Sequence, residues 1–191
     1  DRAADNIRWL AFAGTLADHA IGLFLGDDHQ FYLRPADQTD LILRPRDEHD
    51  GALPSPGSFM ILNLLKLDRL TGTERYRATA EKALKAISGT IERIPNGMAS
   101  ALFAVDFHLN DKIEIVIVGD SDARSAMLGT LYKQFLPNRV IAQSDTGHEK
   151  LPLFEGRAVA NGEVKAYVCR NSVCNVPAET VEAFAEQLKQ L

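Results

Sequence analysis

The stretch Asn110-Asp111-Lys112-Ile113-Glu114-Ile115-Val116-Ile117-Val118-Gly119-Asp120-Ser121-Asp122-Ala123 divides the chain in character. Before it, apolar residues recur at helical spacing. Inside it, Ile113 to Gly119 is β-branched and nearly continuous in hydrophobicity, the pattern of a strand covered on both faces. Ser121 is placed to cap a helix reaching about Phe135, buried through Ala123, Met127, Leu128, Leu131 and Phe135. Pro137-Asn138 ends that helix and Arg139 to Ala142 offers a second strand, a βαβ pattern expected to be parallel and right-handed. A long loop with Gly147, His148, Pro152 and Gly156 follows. Val164 to Cys169 then predicts another strand, and Pro177 to Leu191 a closing helix through Val181, Phe184 and Leu188.

Working back from Asn110, the pattern is helical. From about Asn6 to Leu25 there are two apolar stripes, Ile7, Leu10, Ala17, Ile21 and Phe24 beside Trp9, Phe12, Leu16, Ala20 and Leu23. A helix that apolar is expected to be covered on more than one side. Phe31-Tyr32-Leu33 and Leu41-Ile42-Leu43 read as short extended pieces. Gly57 to Leu70 is almost solid hydrophobe, with Asn63, Lys66 and Arg69 on one narrow polar line, whereas Glu74 to Ile94 is apolar on a single face. Met98 to Leu109 begins another apolar helix through Leu102, Phe103, Val105 and Phe107. Alternation of enclosed inner helices and one-sided outer ones is what a ring of helical hairpins requires. The expected fold class is therefore mixed α+β: residues 1–110 as helical hairpins of a partial (α/α) toroid, and residues 111–191 as a small α/β domain on a mostly parallel sheet. A partial ring would leave the first two helices with exposed apolar faces, which predicts self-association, so a homo-oligomer is expected.

Composition narrows the partners. A formal net charge of -5 over 191 residues supplies no basic face for phosphates, so nucleic acid is not expected. Charges interrupt every apolar run before the roughly 20 residues that a membrane span needs. Two cysteines in a chain of this length make no disulfide scaffold, and with no signal-peptide pattern at the start a cytoplasmic location is expected. No cofactor or metal motif is read.

Two stretches carry a family resemblance. Asp50-Gly51-Ala52-Leu53-Pro54-Ser55-Pro56-Gly57-Ser58, followed by Asn63-Leu64-Leu65-Lys66-Leu67 and Thr71-Gly72, is one. Ile115 to Gly119 together with Ala166-Tyr167-Val168-Cys169-Arg170-Asn171-Ser172-Val173-Cys174 and Pro177 is the other. In order and spacing they resemble the YyaL type of thioredoxin-domain-containing protein, whose mammalian relative is a spermatogenesis-associated protein. The resemblance implies a thioredoxin-like domain, then a six-hairpin (α/α) toroid like those of glycosidases and sugar epimerases, then a tail. It implies that this chain is the carboxyl-terminal part. Gly57 stands where the family usually has Asn, so an amide that could bind a ligand or cap the helix is absent.

The candidate site is the loop Arg46 to Ser58, which enters the most apolar helix. Glu48, His49 and Asp50 are its catalytic candidates, since carboxylates with a nearby histidine can serve as general acid and base on a sugar. Asp47 adds a further carboxylate, and Ser55 and Ser58 are the ligand-binding candidates. The competing reading is that Asp50 and Ser58 fix the loop and the helix start through side-chain-to-backbone bonds. Cys169 and Cys174, five positions apart, are redox or structural candidates; a disulfide forms if the chain turns back between them, whereas a continuous strand points them to opposite faces. Gly119 to Ala123 resembles a relaxed nucleophile elbow with Asp145 and His148 downstream, but no oxyanion-hole motif accompanies it, and a strand-loop-helix with Ser121 as N-cap is the preferred reading. Two functions follow: a scaffold or interaction region serving the thioredoxin-like domain of the same parent chain, without catalysis of its own, or a toroid that binds or acts on a carbohydrate-like small molecule.

Overall fold

The computed structural model describes residues 2–38, 43–47, 49–160 and 162–191, with side chains from Ile7 onward. Among these residues the chain is mixed α+β, with six α-helices and one four-stranded sheet. It divides into two units, Trp9–Arg69 with Thr73–Leu109, and Asp1–Arg8 with Leu70–Gly72 and Asn110–Leu191. The extended piece read at Leu41-Ile42 lies outside the described residues.

The helices before Asn110 are α1 (Arg2–Phe24), α2 (Pro56–Thr71), α3 (Glu74–Arg93) and α4 (Ala99–Leu109). The two stripes of α1 have different fates. Ala17 is buried and Leu10, Ile21 and Phe24 are partly so, but Trp9, Phe12, Leu16 and Leu23 face outward. The expectation that α1 is covered on more than one side is corrected: one stripe is enough to anchor it. α2 is the enclosed helix, burying Ile61, Leu64, Leu65 and Leu67, with Phe59 its outward exception. α3 buries Tyr76, Ala80, Ala83 and Leu84 on the face its periodicity assigns. α4 departs from the reading, turning Ala101, Ala104 and Phe107 inward and leaving Leu102 and Phe103 exposed. Helix α4 lies beside α3, and the small residues Ala101 and Ala104 on its buried face allow close approach.

A polar clasp joins α3 to α1. The Tyr76 hydroxyl donates to Asp18 Oδ1 at 2.9 Å and lies 3.3 Å from the Gly14 carbonyl, while Arg75 pairs with the same carboxylate. At the far end of α1, Arg44 donates to the Leu23 carbonyl at 2.8 Å, satisfying one of the acceptors that a helix end leaves free.

The remaining elements are β1 (Ile113–Gly119), α5 (Ser121–Leu131), β2 (Arg139–Ser144), β3 (Val164–Arg170), β4 (Val173–Cys174) and α6 (Val181–Leu188). The strand order is β2-β1-β3-β4. β1 and β2 pair in parallel around α5, as the βαβ pattern predicts. The mostly parallel sheet does not hold, since β3 is antiparallel to β1 and β4 is antiparallel to β3. A parallel return needs a crossover, usually a helix. Among the described residues between β2 and β3 the one helical piece is a 3-10 turn, Pro152–Phe154, and the chain comes back in the opposite direction.

Alternation along the strands sorts the two faces. Ile113, Ile115, Ile117, Ala166 and Val168 form a core with Met127 and Leu131 of α5 and Phe184 and Leu188 of α6. Glu114, Val116, Val118, Tyr167 and Cys169 stand on the opposite face by the same alternation. Every residue of β1 is buried. Two local readings are corrected. Helix α5 stops at Leu131, so Phe135 is 91% exposed and Leu136 takes the core position. Its N-cap is Asp120 rather than Ser121, accepting from the Asp122 and Ala123 amides at 3.0 and 3.3 Å.

Candidate functional site

The Arg46–Ser58 loop is organised by one carboxylate. Asp50 Oδ1 accepts from the Ser55 amide at 2.7 Å and Oδ2 from the Ser100 amide at 2.5 Å, in the first turn of α4. The Asp50 amide donates to the Gly97 carbonyl at 2.8 Å. Amides at a helix start lack intrahelical acceptors and carry the positive end of the helix dipole, so an aspartate supplied from a distant loop caps α4. The side-chain-to-backbone role expected of Asp50 is thus present, directed at α4 as well as at its own loop. Both carboxylate oxygens are engaged by backbone.

Ser55, buried, caps the next helix. Its hydroxyl donates to the Asp47 carbonyl at 2.9 Å and accepts from the Ser58 amide at 3.4 Å, three residues into the α2 entry. Pro56 opens α2 without loss, because the first helical position has no amide bond to give up. Upstream, Arg46 pairs with Asp28 at 2.7 Å, and Tyr32 donates its hydroxyl to Asp28 at 3.0 Å. The hydrogen bond to that carboxylate, helped by burial, holds the Tyr32 phenol above its ordinary value.

These contacts bring Asp47, Ser55 and Ser58 to one small cavity with His29, Arg46 and Thr90, closed by apolar residues of α2 and α3. Asp50 and His49 do not line it. Glu48 lies outside the described residues. The space is about 30 Å³, enough to admit solvent. The polar groups of the loop therefore hold the chain and a solvent-sized space in this conformation. Among the described residues the carboxyl pushed above its ordinary value is Asp68 on α2, by burial, with the charges of Arg77 and Arg69 opposing. Nothing in the sequence marks it, because its burial depends on how α2 is enclosed.

In the α/β unit, Asn171 and Ser172 both take positive φ, and the chain reverses there into a β3–β4 hairpin. The condition for pairing the cysteines is met: Cys169 and Cys174 face each other in register and form a disulfide. Arg157 Nη2 donates toward both sulfurs, at 3.5 and 3.2 Å. No spacing in the sequence connects Arg157 to the cysteines; the β2–β3 loop carries it there.

The turn after β1 is assembled differently from a nucleophile elbow. Asp145 is paired with Arg124 at 2.6 Å, and that buried guanidinium also donates to the carbonyls of Gly119 and Ser144, at 2.5 and 3.0 Å. Arg124 thereby ties together the carboxyl ends of β1 and β2. Among the described residues no group of three or more His, Cys, Asp or Glu is placed to hold a metal ion, and no helix is long and apolar enough to cross a membrane.

Comparison with known proteins finds similar sequences over most of this chain. Spermatogenesis-associated protein 20 of Homo sapiens is 28% identical over 92% of the chain, and that of Rattus norvegicus 29% identical over 92%. An uncharacterised Caenorhabditis elegans protein is 24% identical over 82%. The chain spans 23% of the length of the human and rat proteins. No family model matches it.

Proposed function

For a homologue of spermatogenesis-associated protein 20 that spans a small share of its relatives' length, we propose a scaffold or interaction region within a longer polypeptide, rather than a sugar-active enzyme. One observation carries this reading. Trp9, Phe12, Leu16, His19 and Leu23 lie at alternating three- and four-residue steps along α1, and all five are exposed. That spacing is the seam on which a second helix packs. The occupant is an apolar helix from the rest of such a polypeptide. In this reading the helices before Asn110 belong to an (α/α) toroid, whose next hairpin fills the seam, and the assembly serves a thioredoxin-like domain of the same parent. The glycosidase-like alternative has less support, because the cavity at the loop is small, about 30 Å³, and both oxygens of Asp50 are spent on backbone.

The seam is self-complementary, so copies of the chain produced alone pair through α1. Light scattering over a concentration series tests this. Association is expected for the native chain, and loss of it for the double variant Phe12→Glu with Leu16→Glu, whose exposed positions leave the fold intact by circular dichroism. A native chain that stays monomeric at high concentration overturns the reading.

A further inference from the structure

The Cys169–Cys174 disulfide is asymmetric. Cys169 is fully buried, whereas Cys174 is exposed at the end of β4. Arg157 reaches both sulfurs with one nitrogen, and is itself fixed by donating Nη1 to the Leu153 carbonyl at 2.6 Å and by lying 5.2 Å from the centre of the Tyr167 ring. A cross-link that only holds a hairpin together needs neither an accessible sulfur nor a cation aimed at the pair. Both features are what thiol–disulfide exchange needs: a sulfur that can be attacked, and a positive charge that stabilises the thiolate released.

We propose that Cys169–Cys174 is a dithiol–disulfide exchange site, in which Cys174 reacts with an external dithiol and Arg157 stabilises the cysteine thiolates. In the reducing direction, one thiolate of the dithiol attacks Cys174 Sγ. A new sulfur–sulfur bond forms there as the Cys169–Cys174 bond breaks, and its electron pair leaves on Cys169 Sγ beside Arg157. The second thiol of the partner, deprotonated to solvent, then attacks its own first sulfur and expels Cys174 as a thiolate. The partner becomes a disulfide, having given up two electrons, and the two cysteines take up protons from solvent to the extent their pKa values dictate.

The charged and titratable groups facing the pair are Arg157, Glu114 and Tyr167. Glu114 stands opposite Cys169 in register, so its charge works against a thiolate. Burial of Cys169 does so as well. Arg157 is the group that opposes both. Burial holds its own pKa below the ordinary value, with the charges of Glu114 and Tyr167 opposing.

The test uses the whole chain. Under native conditions at pH 7, dithiothreitol should open the disulfide, read as the mass gained on thiol alkylation, without loss of the circular dichroism signal. In a Cys169→Ser variant the remaining Cys174 thiol should titrate below the ordinary value of about 8.5, followed by the pH dependence of its alkylation by iodoacetamide. Adding Arg157→Gln should raise that value by about one unit and slow alkylation at pH 7 about tenfold, while Arg157→Lys should restore most of the rate. Should Arg157→Gln unfold the protein, the pH profile of Cys169→Ser alone decides. A disulfide that opens only on denaturation, or a Cys174 thiol that titrates at or above the ordinary value, overturns the proposal and leaves a structural cross-link.

Discussion

Asp50 illustrates how one side chain can look catalytic and act as a clamp. Its carboxylate accepts two backbone amides, on its own loop and on the first turn of α4, and neither amide has another acceptor within its helix or turn. Removing it leaves both donors short of a partner. Asp50→Ala should therefore cost about 2 kcal/mol of stability and Asp50→Asn about half as much, because the amide keeps one acceptor oxygen. Urea denaturation midpoints measure this. Asp18 gives the pH counterpart. Burial pushes its carboxyl up, but the hydrogen bonds from Arg75 and Tyr76 outweigh this and hold it below its ordinary value of 3.8. The folded form thus binds the proton less readily than the unfolded form. The contribution is fully present above about pH 4 and is lost as pH falls through the folded value. The carboxylate is 38% exposed, so solvent screening keeps the effect small. Comparing Asp18→Asn with the native chain between pH 2 and 6 should show two stability curves that converge at the acid end.

At the scale of elements, the join between β1, α5 and β2 depends on Gly119 and Arg124. Gly119 has φ +126°, and a Cβ there would lie 2.0 Å from the Glu163 carbonyl oxygen, so β1 can meet the start of β3 only with glycine at its end. Arg124, 3% exposed, fills the space where β1 and β2 end side by side. Arg124→Met removes the donor from two carbonyls and should cost about 2–3 kcal/mol. Asp145 is 43% exposed, so Asp145→Ala should cost less, about 1 kcal/mol, since Arg124 keeps both carbonyls and water can approach the charge. Thermal melts of the two variants test the order; the reverse order would mean that the ion pair, rather than the carbonyl bonds, secures the join.

For the molecule as a whole, the exposed seam of α1 is the property that isolated elements do not explain. An amphipathic helix needs one apolar stripe to stay on its unit, and α1 has two. Apolar association is little weakened by salt, whereas an association through surface ion pairs fades as the Debye length shortens. The self-association expected of the native chain should therefore persist in 0.5 M salt and disappear in the Phe12→Glu with Leu16→Glu variant. Salt sensitivity in the light-scattering series would locate the contact on charged surface instead.

Much of this was legible in the chain. Periodicity located the helices and the β1-α5-β2 unit, because hydrophobic spacing is set by how a helix or strand presents its side chains, which is local. The motif around Asp50 and the Asp-Gly, Pro and Ser chemistry marked the loop for the same reason. What periodicity could not reveal is which of two stripes on α1, or which side of the almost wholly apolar α4, faces inward, since each satisfies a helix and only the neighbours choose between them. The direction of β3 was equally hidden, resting on a β2–β3 connection whose described residues form no crossover helix. The candidate site was half visible: the residue types on the loop were evident, but that Asp50 reaches α4 and leaves the cavity to Asp47 and the serines depends on a chain separated from it by a whole helical hairpin. The cysteines were conditional on a turn. Residues Asn171 and Ser172 supplied that turn, and the fold then brought Arg157 to the sulfurs, a meeting of distant segments that local sequence does not encode.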